Sequence, residues 1–199
     1  MKIKILAFLM TCFAVFGSVK NDAIAPNFTL INQDNETINL SSFKGKKVIL
    51  EWTNHECPFV KRHYDTNNMQ NLQEEFTDDG IIWLSIISSA EGKQGYITKP
   101  EAKELTINRN AHPSHVLFDS NGDVARLYDA KTTPHMYIID ESGTLKYQGA
   151  IDDLGSTGAL FSTDLSEAKN YVRNAIVSLL LGEDIVDKKT RPYGCSIKY

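Results

Sequence analysis

The sequence predicts an α/β fold in which a mixed central sheet is flanked by helices, and three observations carry that prediction. Two runs, residues 47–52 and 81–87, are of strand length and mostly apolar, the pattern of strands buried on both faces. Stretches of helical period lie between and after them, at residues 57–76 and 166–181. A turn at residues 141–144 joins the strand-like runs 136–140 and 145–149 as a hairpin. Strands alternating with helices, and then a hairpin, require both parallel and antiparallel pairing.

Taken in order, residues 28–31 and 37–40 form an N-terminal hairpin across the polar turn 32–36. The buried strand 47–52 leads through a loop to Cys57. Pro58 follows, and proline suits the first helical position, so Cys57 is placed at the N-cap of a helix that bends near residues 65–68. Asp78, Asp79 and Gly80 end that helix before strand 81–87. Helix 100–107, strand 115–119 and helix 123–128 come next. Thr132 and Thr133 precede Pro134 and strand 136–140; a proline at a strand's start removes no ladder donor. Residues 152–163 read as a surface loop. Helix 166–181 presents Ala168, Tyr171, Val172, Ala175, Ile176 and Leu179 on one face and closes at Gly182.

A chain of 199 residues suits one domain with extra segments, and 42% apolar content supplies a core without a disulfide scaffold. A net charge of −4 argues against a nucleic-acid partner, which needs a basic surface. Lys2 and Lys4, the apolar run 5–16, and Gly17 and Ser18 together have the form of a secretory signal peptide. The expected organisation is therefore a signal peptide over 1–20, a domain over 21–183 and a tail over 184–199 that carries Cys195. Export places the mature protein outside the cytoplasm, periplasmic or secreted.

Cysteine counting carries the chemistry. Removal of the leader takes Cys12 and leaves Cys57 and Cys195 in an oxidising compartment. No Cys-x-x-Cys zinc pattern is present, and no cofactor or metal is expected. A helix N-terminus favours a thiolate, the nucleophilic form, so Cys57 is the candidate catalytic residue. Protonated His55 and Lys61 would assist it, and Glu56 opposes them. Cys195 is a resolving thiol, a static disulfide partner or an unpaired tail thiol; the residues leave these open.

The strand–loop–Cys–helix unit over 48–60, the Thr133-Pro134 strand start, the closing hairpin and last helix, and the ending Arg191-Pro192-Tyr193-Gly194-Cys195 together resemble the thioredoxin fold. Within it the chain is similar to redoxins, close to the alkyl hydroperoxide reductase/thiol-specific antioxidant family and to thioredoxin-like reductases, over residues 25–181. The resemblance implies that Pro134 is a cis-proline lying against Cys57. It also implies that the backbone beside it, at Thr133, pairs with a substrate disulfide. Val60 stands where such reductases carry a second cysteine. Peroxiredoxins place Thr or Ser three residues before the cysteine, where Asn54 stands here, and an arginine near the place of Pro134. Arg62 or Arg126 are the candidates to replace that arginine.

Three readings follow. The first is an exported thiol–disulfide oxidoreductase using Cys57, with Cys195 or an external thiol resolving it, and with Thr133, Pro134, Asn54, His55 and Pro58 supporting. The second is a peroxiredoxin-like thiol peroxidase. The third is a copper-binding chaperone using His55, Cys57, His63 and Met69. The expected partners are a protein or small-molecule disulfide or a hydroperoxide, with an external thiol as reductant. His112, His115 and His135 are read as surface or structural residues.

Overall fold

The computed structural model describes residues 19–155, 164–165 and 167–199. The predicted signal peptide therefore falls almost wholly outside the described residues, as does most of the predicted loop after Asp152. The strands are β1 (Thr29–Asn32), β2 (Thr37–Asn39), β3 (Val48–Trp52), β4 (Ile82–Ile87), β5 (His115–Phe118), β6 (Thr132–Thr133), β7 (His135–Ile139), β8 (Leu145–Gly149) and β9 (Cys195–Ser196). The helices are α1 (Pro58–Asp65), α2 (Asn68–Asp78), α3 (Lys99–Asn108), α4 (Asp123–Tyr128) and α5 (Tyr171–Leu181).

Seven strands form one mixed sheet in the order β2-β1-β5-β4-β3-β7-β8. β3, β4 and β5 are parallel, and β7 runs antiparallel beside β3 with β8 beyond it. β3 is therefore central, and all five of its residues are buried. β6 and β9 make a separate two-stranded pair, in which Thr133 faces Cys195. The tail was expected only as a carrier of Cys195; here it is a paired strand.

Alternation along β3 divides the interior in two. Val48, Leu50 and Trp52 face a core shared with Phe28, Leu40, α4 and Tyr137. The Trp52 ring lies 5.1 Å from Tyr137 and 5.5 Å from Tyr128, a packed aromatic group. Ile49 faces a second core with Cys57, Val60, Met69, Leu72, Phe76, Trp83, Val172 and Ile176, drawn from α1, α2 and α5. Fully burying each large apolar side chain contributes roughly 1.5–3 kcal/mol, so both faces stabilise the sheet.

Local signals explain the helix boundaries. Cys57 is the N-cap of α1 and Pro58 its first residue. Asn67 adopts the left-handed conformation at φ 57°, which separates α1 from α2 where the bend was expected. Thr98 and Glu101 close a capping box on α3. The last helix begins at Tyr171 rather than near 166, because the Asn170 side chain accepts from Arg173 N and caps it there. Ala168 consequently lies outside the helical face assigned to it.

Candidate active site

The loop after β3 is fixed before it reaches Cys57. Asn54, 2% exposed, accepts from the Glu56 backbone N–H through Oδ1 at 2.9 Å and donates from Nδ2 to the Gln94 carbonyl at 3.3 Å. Its own carbonyl accepts from Cys57 N at 3.0 Å. Gly95 comes so close that a Cβ there would stand 2.3 Å from the Asn54 side chain, and its N–H donates to Glu56. Asn54 thus tethers the cysteine loop to residues 94–95.

Cys57 is fully buried. Cys57 is at the N-cap of α1 as expected, but its Sγ makes no cap hydrogen bond to the first turn. The chain directs the thiol elsewhere. The S–H donates to the Thr133 carbonyl at 3.1 Å, and the backbone N–H of Cys195 donates to Sγ at 3.4 Å. The Thr133-Pro134 peptide bond is cis, as the resemblance implied.

Thr133, Pro134, Cys57 and Cys195 therefore meet at one point, through partners 76 and 138 residues from Cys57. Both cysteines are free thiols. Gly194 makes this approach practicable: at φ 120° it sits so close to β6 that a Cβ would lie 2.0 Å from the Thr133 carbonyl oxygen. Burial, and then the adjoining Cys57, push the Cys195 thiol up to about 12.

His55 is half-buried, and desolvation lowers its pKa, which works against the imidazolium expected to assist Cys57. Its carbonyl accepts from Arg109 Nη2 at 3.0 Å. Lys61 is exposed. Of the two candidate arginines, Arg62 donates to the Leu154 carbonyl and to the Tyr193 hydroxyl, each at 3.0 Å. Arg126 pairs with Asp123 and stacks on Tyr199 at 4.4 Å.

Two polar groups escaped the sequence reading. The first surrounds Tyr193, two residues before Cys195. Asn68 Nδ2 meets His63 Nδ1 at 2.8 Å, which leaves Nε2 to carry the proton and donate to the Tyr193 hydroxyl at 2.9 Å. That hydroxyl donates in turn to Asp152. Burial, then Arg62, lowers His63 to about 3, and burial raises Asp152. The second group centres on Glu51, which is fully buried in β3 and accepts from Trp83 Nε1 and Ser85 Oγ at 2.9 Å each, from Gln73 Nε2 at 3.2 Å and from the Tyr64 hydroxyl at 3.3 Å. A glutamate inside an apolar strand was the signal for it.

The copper set is not assembled. Both ring nitrogens of His63 are hydrogen-bonded and Met69 is buried in the apolar core. Among the described residues no group of three or more His, Cys, Asp or Glu side chains is placed to hold a metal. His135 is buried against Tyr137, its ring 4.6 Å away, and desolvation lowers it to about 3.

Residues 22–148 match the model of the AhpC/TSA family. Chloroplastic peroxiredoxin Q of Triticum aestivum is 53% identical over 149 residues, covering 67% of this chain and 60% of that protein. The thiol-disulfide oxidoreductase ResA of Bacillus subtilis (strain 168) is 26% identical over 131 residues, 66% of this chain and 68% of the relative. The matched stretch thus spans less than two thirds of peroxiredoxin Q and about two thirds of ResA. The crystal structure of a conserved protein from Geobacillus kaustophilus superimposes with a TM-score of 0.76 at 26% identity, covering 90% of this chain and 92% of that one.

Proposed function

Since this chain belongs to the AhpC/TSA family and has a thioredoxin-like fold, we propose that it is an exported thiol-dependent oxidoreductase working by disulfide exchange. Cys57 is the nucleophile and Cys195 the resolving thiol. The observation that carries the reading is the Cys57 sulfur held between the Thr133 carbonyl and the Cys195 N–H, with both thiols free.

In the first step the Cys57 thiolate attacks one sulfur of a substrate disulfide, forming a mixed disulfide and expelling one substrate thiolate. Cys195 then attacks the Cys57 sulfur and expels the second. The two protein thiols supply two electrons, the substrate disulfide becomes two thiols, and an external dithiol or thiol pair restores the protein. The neighbouring Cys57 is one cause of the raised Cys195 pKa. Once the Cys57 sulfur lies in a mixed disulfide that contribution is gone, so Cys195 becomes more acidic at the step that needs its thiolate. Thr133, Pro134 and Asn54 position Cys57, and Pro58 starts the helix behind it.

Peroxide reduction is the second reading, favoured by the likeness to peroxiredoxin Q. Cys57 would be oxidised to a sulfenic acid with release of the alcohol or water, and Cys195 would displace water from it. Asn54 three residues before the cysteine, and the engagement of Arg62 and Arg126 elsewhere, favour disulfide exchange.

Stopped-flow reaction of the reduced protein with hydrogen peroxide, and separately with a protein disulfide, decides between them. Exchange predicts fast reaction with the disulfide; fast reaction with peroxide alone reverses the ranking. Cys57→Ser abolishes either activity, and activity surviving in it refutes the assignment. Cys195→Ser traps a mixed disulfide at Cys57 that mass mapping detects.

A further inference from the structure

Cys57 is fully buried, although its reading as the reacting thiol requires that a partner reach it. What covers it includes the chain's own tail. Residues 190–199 cross this end of the sheet and are held on both sides of Cys195. Upstream, Thr190 Oγ1 accepts from Ala150 N at 2.9 Å and Thr190 N donates to the Gln148 carbonyl at 3.1 Å. Downstream, Ile197 N donates to the Lys131 carbonyl at 3.2 Å, Ala90 N donates to the Lys198 carbonyl at 3.0 Å, and Tyr199 stacks under Arg126. Between them β9 fills the edge of β6 beside the sulfur.

These attachments differ in kind. Downstream of Cys195 they are single backbone bonds at Ile197 and Lys198, the packing of Ile197 on the first core and the Tyr199 stack, while upstream Thr190 is bonded to the buried residues Tyr147, Gln148 and Ala150 and acts as the hinge. Tyr193 is the attachment nearest Cys195 on the side of α1. Its hydroxyl sits among Arg62, His63 and Asp152, all buried, and its ring lies 5.6 Å from Phe59 in the first turn of α1. It ties the tail to the helix that Cys57 caps. An extended polypeptide brought to the β6 edge by strand pairing needs the same Thr132–Thr133 backbone groups that β9 occupies.

We propose that residues 190–199 form a closure over Cys57, bolted by Tyr193, and that the thiol meets external partners from a state in which β9 has left β6. The inference rests on Cys57 being the reacting thiol. A polypeptide disulfide is then a substrate of the released state, competing with the chain's own strand for β6. Release of Tyr193 controls the access.

The test uses the full chain with Cys195→Ser, which prevents internal disulfide formation, and follows iodoacetamide labelling of Cys57 by peptide mapping. Tyr193→Phe keeps the ring and removes the hydroxyl; Tyr193→Ala removes both. Labelling is expected to rise at least about tenfold in Tyr193→Ala, with Tyr193→Phe between it and the parent. Leu117→Ala, in the core on the opposite face of the sheet, lowers the thermal midpoint and is expected to leave labelling unchanged. Equal labelling in all three tail forms, or acceleration by Leu117→Ala equal to that of Tyr193→Ala, overturns the closure. Fast labelling of the released forms supports it, and if those forms then fail to exchange with a peptide disulfide, it is the exchange reading that fails and not the closure.

Discussion

Gly194→Ala tests the geometry that brings the two thiols together. The new methyl carbon would stand 2.0 Å from the Thr133 carbonyl oxygen, where real contacts of this kind stay beyond 3.0 Å. The strand must therefore retreat by about 1 Å or rotate. The φ of 120° adds a conformation that only glycine holds at ease, at roughly 1–3 kcal/mol. β9 is a two-residue strand, and each of its hydrogen bonds is worth only about 0.5–1.5 kcal/mol net. The strain is of the same size as the pairing, so β9 detaches and takes Cys195 from the sulfur it now approaches. A misplacement of this order lowers an intramolecular rate by roughly 100-fold. The assay is rapid-quench mass mapping of the Cys57–Cys195 link after one equivalent of a disulfide oxidant. The thermal midpoint should fall by no more than several degrees, because the strain is relieved once the two-residue strand detaches. Formation of the link at the parent rate and yield would show that the β6–β9 register does not position the resolving thiol.

Glu51→Ala strands the donors of Trp83, Ser85, Gln73 and Tyr64 in the interior, and it should cost about 3–5 kcal/mol in denaturant unfolding; a loss below about 1 kcal/mol contradicts the network. Asn54→Ala frees the Glu56 N–H and the Gln94 carbonyl and should cost about 1–3 kcal/mol, read from the unfolding midpoint. Acid should destabilise the fold through His63 and His135. Their folded pKa values are lowered to about 3, so the unfolded chain binds the protons first, near 6.5. Their contribution is complete above that value and falls by about 1.4 kcal/mol per pH unit for each residue as the pH drops toward 3. Asp152, raised by burial, acts in the opposite sense, its contribution being lost as the pH rises through its folded value. Denaturation curves at pH 7, 6 and 5 measure the sum, and a flat profile contradicts it.

The parts of this molecule that local physics sets were legible in its sequence. Pro58 announced the helix behind Cys57, and the polar stretch around Asn67 announced the bend that its left-handed backbone delivers. The apolar run of β3 announced a central strand. The meeting of Cys57 with Thr133 and Pro134 came through resemblance, since no local rule joins residues 76 apart. The start of α5 was missed because the sequence offers more than one capping residue before it, and the structure uses Asn170. The Tyr193 cluster stayed hidden for a different reason: Arg62, His63, Asp152 and Tyr193 are ordinary residues until folding buries them together. The orientation of the sulfur was also beyond sequence, because a cysteine at an N-cap can turn toward the helix or away from it.

The division of the interior by the central sheet separates two kinds of selective pressure. Among the described residues, the buried side chains packed with Trp52, Tyr128 and Tyr137 are a different set from those packed with Cys57. Substitutions on the Trp52 side, away from the seat of Ile197, alter how firmly the scaffold stands while Cys57 keeps its own core neighbours. The other side holds Cys57 itself, so change beside the thiol moves stability and chemistry together. A lineage or an engineer can thus adjust the protein's tolerance of heat and its reactivity as two separate traits, working from opposite sides of the same five residues of β3.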